Sequence, residues 1–200
     1  MARKNLLKGF KKPKGITFEH SKIEDTYGKF VAYPFERGFG TTIGNTLRRV
    51  LLSSIQGYAV TAVKFTSYDS EGNPHMISSE FESLPGVAED TPEIIANLKK
   101  VQITMPEEVE EQTLFIECKG PGTVTGLALE KNTISVLNKD LVLFTMMDDA
   151  NIDMEVQIDL NRGYVPAEVN EKYVEEIGTI PVDAVFSPVT RVKYTNENTR

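Results

Sequence analysis

The stretch Glu36-Arg37-Gly38-Phe39-Gly40-Thr41-Thr42-Ile43-Gly44-Asn45-Thr46-Leu47-Arg48-Arg49-Val50-Leu51-Leu52-Ser53-Ser54-Ile55-Gln56-Gly57 decides how the chain folds. Its second half carries a helical period. Thr41 or Thr42 is placed to cap the orphan N–H groups, and Gly57 to end the helix in a left-handed conformation. At about 100° per residue, Ile43, Leu47, Val50, Leu51 and Ser54 share one face, which is expected to be buried. The opposite face gathers Asn45, Arg48, Arg49 and Leu52, an apolar side chain among two guanidinium groups and an amide. That mixture is either a solvated face with one stray leucine or a docking surface, since arginine and an apolar anchor are favoured at interface centres. Gly38, Gly40 and Gly44 loosen the helix entry or admit another backbone closely.

These glycines do not spell a phosphate cradle. The spacing G-x-G-x-x-x-G is one residue too long for a dinucleotide fingerprint, and Ile43 stands where its third glycine belongs. No Gly-Lys-Ser/Thr follows, so a Walker loop is excluded as well.

Working outward, 200 residues allow one domain or two small ones, enough to bury roughly 70% of the unfolded surface. A hydrophobic fraction of 40% with 26% charged residues is ordinary globular composition. The single cysteine, Cys118, has no partner for an internal disulfide and suits a reducing cytoplasm. No apolar run is long enough to span a membrane. Net charge is −7, yet Arg3, Lys4, Lys8, Lys11, Lys12 and Lys14 crowd residues 1–16, which hold no acid; the remainder stands at −13. An acidic body binds nucleic acid poorly. The start lacks the apolar core of a signal peptide and reads as a flexible basic arm, solvated or able to touch nucleic acid.

Two strands are expected at Ile16–His20 and Lys29–Tyr33, then the helix, then a strand at Tyr58–Phe65 apolar on both faces. Residues 67–80 are turn-rich. Thr91-Pro92-Glu93 opens a second helix, with a capping hydroxyl, proline in the first turn and an acid against the dipole. Short strands are expected at Val101–Met105, Thr113–Cys118, Thr123–Leu129, Thr133–Leu137, Leu141–Thr145, Ile152–Leu160, Ile180–Phe186 and Val189–Thr195, with 161–179 mostly loop.

Catalytic constellations are missing from the sequence. His20, His75 and Cys118 have no paired ligand spacing. Asp149-x-Asn151-x-Asp153 starts like a calcium loop, but Met154 and Leu160 replace its glycine and glutamate, leaving a hairpin turn. No Asp-x-Asp-x-Asp triplet for paired magnesium ions and no G-x-S-x-G elbow occurs. The chain is expected to hold no cofactor and no catalytic residue.

The segment E-R-G-F-G-T-T-I-G-N-T-L-R-R-V-L-L-S-S-I closely resembles the signature of the bacterial RNA polymerase alpha-subunit family. Leu84-Pro85-Gly86-Val87-Ala88-Glu89-Asp90, Asn97-Leu98-Lys99, Arg162-Gly163-Tyr164-Val165-Pro166-Ala167-Glu168 and Ile180-Pro181-Val182-Asp183-Ala184-Val185-Phe186-Ser187-Pro188-Val189 recur in the family's order. The resemblance runs from about Phe18 to Arg200. It implies an α+β fold in which a dimerisation module, strands plus a long helix at 17–56 with 187–200, is interrupted by an inserted β-rich α/β module at 57–186.

The implied job is to dimerise and hold the catalytic beta and beta-prime subunits of the cytoplasmic polymerase, where magnesium and nucleotidyl transfer reside. Phe39, Ile43, Leu47 and Val50 would supply the dimer interface. Arg49 matches the arginine that contacts beta, supported by Arg48, Leu52 and Asn45. Lys99, Val182, Ser187, Pro188 and Val189 match positions near the beta-prime contact. The rivals are a nucleotide-binding enzyme using the Gly38–Gly40 loop and a nucleic-acid binder working through the basic arm.

Two departures stand out. Leu160-Asn161 occupies the place of the family's usual Arg-Gly, and the 67–80 loop is longer than the family pattern. The family also continues past the point matched by Arg200 with a helix that completes the dimer, a linker and a DNA-binding domain. The expectation is therefore a fragment with a weakened dimer and no recognition of upstream DNA by itself.

Overall fold

A computed structural model describes residues 9–19, 26–106, 108–131, 133–147, 150–171 and 177–198. It divides into two units, Met1–Leu51 with Arg191–Arg200, and Leu52–Thr190.

In the first unit, β1 (Ile16–Glu19) and β2 (Lys29–Ala32) pair antiparallel, with Ile16 opposite Ala32 and Glu19 opposite Lys29. Phe18 and Phe30 face each other across the ladder with ring centroids 4.9 Å apart, and Lys29 Nζ meets Glu19 Oε2 at 2.7 Å. Helix α1 (Phe39–Ser53) begins two residues earlier than the threonines suggest, with the Phe39 N–H donating to the Glu36 carbonyl at 3.0 Å. Thr41 and Thr42 thus lie inside the helix and cap nothing. The Thr41 hydroxyl instead accepts from Asn196 Nδ2 at 2.6 Å, and the Thr42 carbonyl accepts from the Thr46 hydroxyl at 2.8 Å.

Upstream, Phe10 packs edge-on against Phe39 at 4.8 Å and the Lys14 N–H donates to the Tyr33 carbonyl. Residues 1–8 of the basic arm and His20 lie outside the described residues. Residues 191–198 form no strand, contrary to the expectation for Val189–Thr195. Tyr194 and Asn196 lie over Gly44 and Gly40 instead. A Cβ on Gly44 would come within 2.6 Å of the Tyr194 ring, so these small residues make room for the final segment.

The second unit is built on two long strands. β3 (Gln56–Tyr68) runs antiparallel to β10 (Asn151–Arg162) from Gln56↔Arg162 to Ser67↔Ile152, with a bulge at Gln157/Ile158. The far edge of β10 pairs with β6 (Glu111–Lys119), which is the outer strand of the sheet. The far edge of β3 takes three short strands in succession: β5 (Ile103–Thr104) at Tyr58, β12 (Thr179–Pro181) at Ala62–Lys64, and β4 (Pro74–Met76) at Thr66–Tyr68. β8 (Ser135–Val136) extends β5. On the outer edge the Lys131 ammonium donates to the Phe115 carbonyl at 2.6 Å.

β7 (Gly122–Thr125) pairs with β9 (Val142–Met146), and β11 (Tyr164–Val165) with β13 (Ala184–Val185). Among the described residues this unit also carries the α-helices α2 (Thr91–Leu98) and α3 (Ala167–Asn170). The core joins Phe65, Leu114, Ile152, Met154, Val156 and Ile158 to Ile94, Ile95 and Leu98 of α2. Each side chain contributes about 1.5–3 kcal/mol of burial.

The α+β class stands. Several local expectations are corrected. Gly57 is no helix cap: it lies in β3, where the Phe186 carbonyl oxygen comes within 2.1 Å of any added Cβ. Thr91 is already helical, and its hydroxyl donates to the Glu82 carbonyl rather than capping; extended Asp90 precedes the helix. The expected strand Thr123–Leu129 turns into a 3₁₀ turn at Gly126–Leu129, because Gly126 packs against the Asn138 carbonyl where a side chain would collide. Ile180–Phe186 breaks into β12 and β13 around Val182-Asp183. The turn before Asn151 makes no hairpin, since β9 pairs with β7 and β10 with β3 and β6; Asp149 itself lies outside the described residues.

Candidate interaction surfaces

Helix α1 is amphipathic, yet none of its residues is buried. Of the face expected to be buried, Ile43, Leu47 and Val50 remain 37%, 45% and 47% exposed, Ser54 is exposed and Leu51 half-buried; Phe39, placed with them at the dimer interface, is 43% exposed. The physical reason is supply. Within its unit residues 191–198 lie along the Gly40–Gly44 side of the helix and Phe10 packs at its start, contacts that leave the apolar stripe uncovered. On the other side Asn45, Arg48 and Arg49 are exposed and Leu52 is half-buried. α1 therefore presents two chemically distinct open faces, one aliphatic and aromatic, the other cationic.

The Gly38–Gly40 loop is covered at one of its two glycines. Gly38 takes a positive φ of 88° in the turn before the helix, and a side-chain oxygen of Asn196 lies 2.8 Å from a Cβ position on Gly40. Among the described residues no group of three or more His, Cys, Asp or Glu could hold a metal ion, and no helix is long and apolar enough to cross a membrane.

The second set of predicted site residues lies in the other unit. Lys99 follows the last turn of α2, its N–H donating to the Ile95 carbonyl at 3.0 Å, where a cation complements the helix dipole. Its ammonium is ion-paired with Asp183, both side chains about a third exposed (33% and 34%). Ser187 is buried and its Oγ accepts from the Val189 N–H at 3.3 Å, while Pro188 is exposed and Val189 half-buried. Val182 is not a surface residue: at 1% exposure it belongs to the core. Through the β12–β13 joint and β13 burial alternates, with Val182, Ala184 and Phe186 buried, Asp183 half-buried and Val185 exposed.

Sequence reading missed three residues that hold these surfaces. Asp183, quoted within a motif, was not singled out although it carries the partner charge of Lys99. Asn170 is 2% exposed and donates to the Val182 carbonyl at 2.7 Å. Glu89 accepts from the Thr145 N–H at 2.6 Å and its hydroxyl at 3.0 Å, tying the Leu84–Asp90 motif to β9. No local pattern marks them, because each partner is more than ten residues away in sequence.

Known proteins resemble this chain in sequence. A family model described as the RNA polymerase Rpb3/RpoA insert domain matches residues 62–187. The chain is 51% identical over its whole length to the DNA-directed RNA polymerase subunit alpha of Treponema pallidum, covering 57% of that relative. It is 46% identical over its whole length to the same subunit of Borreliella afzelii, covering 59% of it. Over 94% of the chain it is 48% identical to that of Alkaliphilus metalliredigens, covering 57% of it. The chain thus spans less than two thirds of the length of the curated relatives it matches.

Proposed function

Because this chain belongs to the family of bacterial RNA polymerase alpha subunits, we propose that it is an assembly scaffold for DNA-directed RNA polymerase. It pairs with a second copy of itself and holds the beta and beta-prime subunits together for DNA-templated transcription in the bacterial cytoplasm. One observation carries the reading: an amphipathic helix with no buried residue. Across a self-association contact, Phe39, Ile43, Leu47 and Val50 from each copy, 37–47% exposed, contribute a little under half of the full-burial value of about 1.5–3 kcal/mol apiece, which offsets association costs at the lower end of about 4–15 kcal/mol.

Arg49, with Arg48, Asn45 and Leu52, takes the beta subunit. Lys99 with the Ser187–Val189 turn takes beta-prime. Nucleotidyl transfer, with its magnesium, belongs to those large subunits, and this chain supplies placement. DNA is reached through the assembled enzyme. The nucleotide-enzyme alternative is not favoured, since Asn196 and Tyr194 occupy the space over Gly40 and Gly44.

Native mass spectrometry of the chain mixed with a purified bacterial beta subunit tests the scaffold. Two chains plus one beta is the expected species. Arg49→Ala is expected to keep the fold and the self-association while weakening beta binding by about 2 kcal/mol. Unchanged affinity would sink the assignment of Arg49.

A further inference from the structure

Two positions assigned to the beta-prime surface behave differently: Lys99 is at the surface and Val182 is inside. The residue that joins them is Asp183. It sits in the two-residue joint between β12 and β13, and that joint is fixed from both sides. The Val182 N–H donates to the Thr61 carbonyl at 2.8 Å, and the Val182 carbonyl accepts from the buried Asn170 amide at 2.7 Å. With its backbone pinned and Val182 packed in the core, Asp183 has little freedom except in its own side chain. Its carboxylate is ion-paired with the Lys99 ammonium, which projects from the end of α2.

We infer that Asp183 is the positioning residue of the beta-prime surface: it aims the Lys99 ammonium at an acceptor, a carboxylate or a carbonyl oxygen, on that partner. The inference rests on the scaffold reading above. An ammonium has three donors and Asp183 engages one side of it, so donors remain for a second acceptor. Exposed on its own, such a pair adds little stability; enclosed by a partner, a hydrogen-bonded charge pair becomes costly to break. Apolar surface lies on the same outward side. Val185, two residues on, is 55% exposed and stands directly opposite Tyr164, itself 61% exposed. A tyrosine and an aliphatic residue beside a charge pair have the composition of an interface centre. Val182 and Asn170 then act from behind, by holding the joint that carries Asp183.

The test adds recombinant beta-prime to a preformed complex of the chain with a bacterial beta subunit and measures its recruitment for wild type, Lys99→Gln, Asp183→Asn, the double variant and the swap Lys99→Asp/Asp183→Lys. Thermal unfolding of each free chain is measured in parallel. Each single variant is expected to lose at least about tenfold in recruitment with little change in melting temperature, and the double variant about as much as either single. The swap is expected to melt like wild type yet fail to recruit, because the cation then projects from the wrong element. Recruitment restored by the swap would reduce the pair to an internal brace and overturn the inference, as would single variants that recruit normally. If wild type itself recruits no beta-prime, the scaffold reading fails instead.

Discussion

The two units of this molecule solve the burial problem in opposite ways. Residues 52–190 enclose a continuous core between β3, β10, β6 and α2, with Phe65, Ile152, Met154, Val156 and Ile158 all fully buried. In the unit formed by Met1–Leu51 and Arg191–Arg200, no described residue is buried, while Ile16, Phe18, Phe30, Tyr33, Phe39, Ile43, Leu47 and Val50 are exposed. Composition does not separate them, since both carry aromatic and aliphatic side chains in periodic patterns. Coverage does. The larger unit supplies a second layer for its own sheet, whereas the smaller one leaves the apolar side of its helix open. One encloses its apolar side chains; the other leaves them at the surface.

The contrast breaks most readily at the core. Phe65→Ala is expected to cost about 3–5 kcal/mol, read as a lower midpoint in urea unfolding followed by far-ultraviolet circular dichroism. A cost below 1 kcal/mol would mean that the larger unit is no tighter than the smaller.

The reciprocal change sharpens it. Leu47→Asp puts a charge on the open face and is expected to weaken self-association by at least about 2 kcal/mol, some thirtyfold in Kd, in sedimentation-equilibrium runs. The main urea transition of the same protein should stay in place. A shift of that transition would show that the two units share their stability.

The smallest effect reports on closure of the core. Cys118 is 6% exposed, and burial, with a contribution from the Asp153 charge, pushes its thiol up to about 11. Because the folded thiol keeps its proton where the unfolded one has lost it, this group's contribution is level below the ordinary thiol range near about 8.5 and declines from there towards pH 11. Relative to Cys118→Ala, wild type is expected to lose stability over that window. Its alkylation by iodoacetamide at pH 8 should be at least about tenfold slower folded than in urea. Equal rates would indicate an open core.

Short-range chemistry made much of this legible. The alternation of Lys29–Tyr33 and Tyr58–Phe65, the period of α1 and the proline-led start of α2 all follow from neighbours within a few residues. What escaped was decided at a distance. Gly57 reads as a helix terminator until the Phe186 carbonyl is seen against it, and Gly126 ends a strand because Asn138 lies close by. Val182 carries the same β-branched side chain as Val185, and only the fold tells which of them faces inward. The candidate faces of α1 could be sorted by angle alone, but their openness could not, because it depends on what the rest of the unit lacks.

The lysine bonded to the outer strand has a consequence for the chain in solution. β6 ends the sheet with nine residues of alternating pattern, a ready template for another chain to extend. Lys131 occupies the Phe115 carbonyl midway along it, and Glu111, Glu117 and Lys119 add charge on the exposed face. An incoming strand would have to displace an ammonium and confront those charges before making its first ladder bonds. The sheet edge is thereby guarded against ladder extension, which disfavours stacking of chains into fibrils.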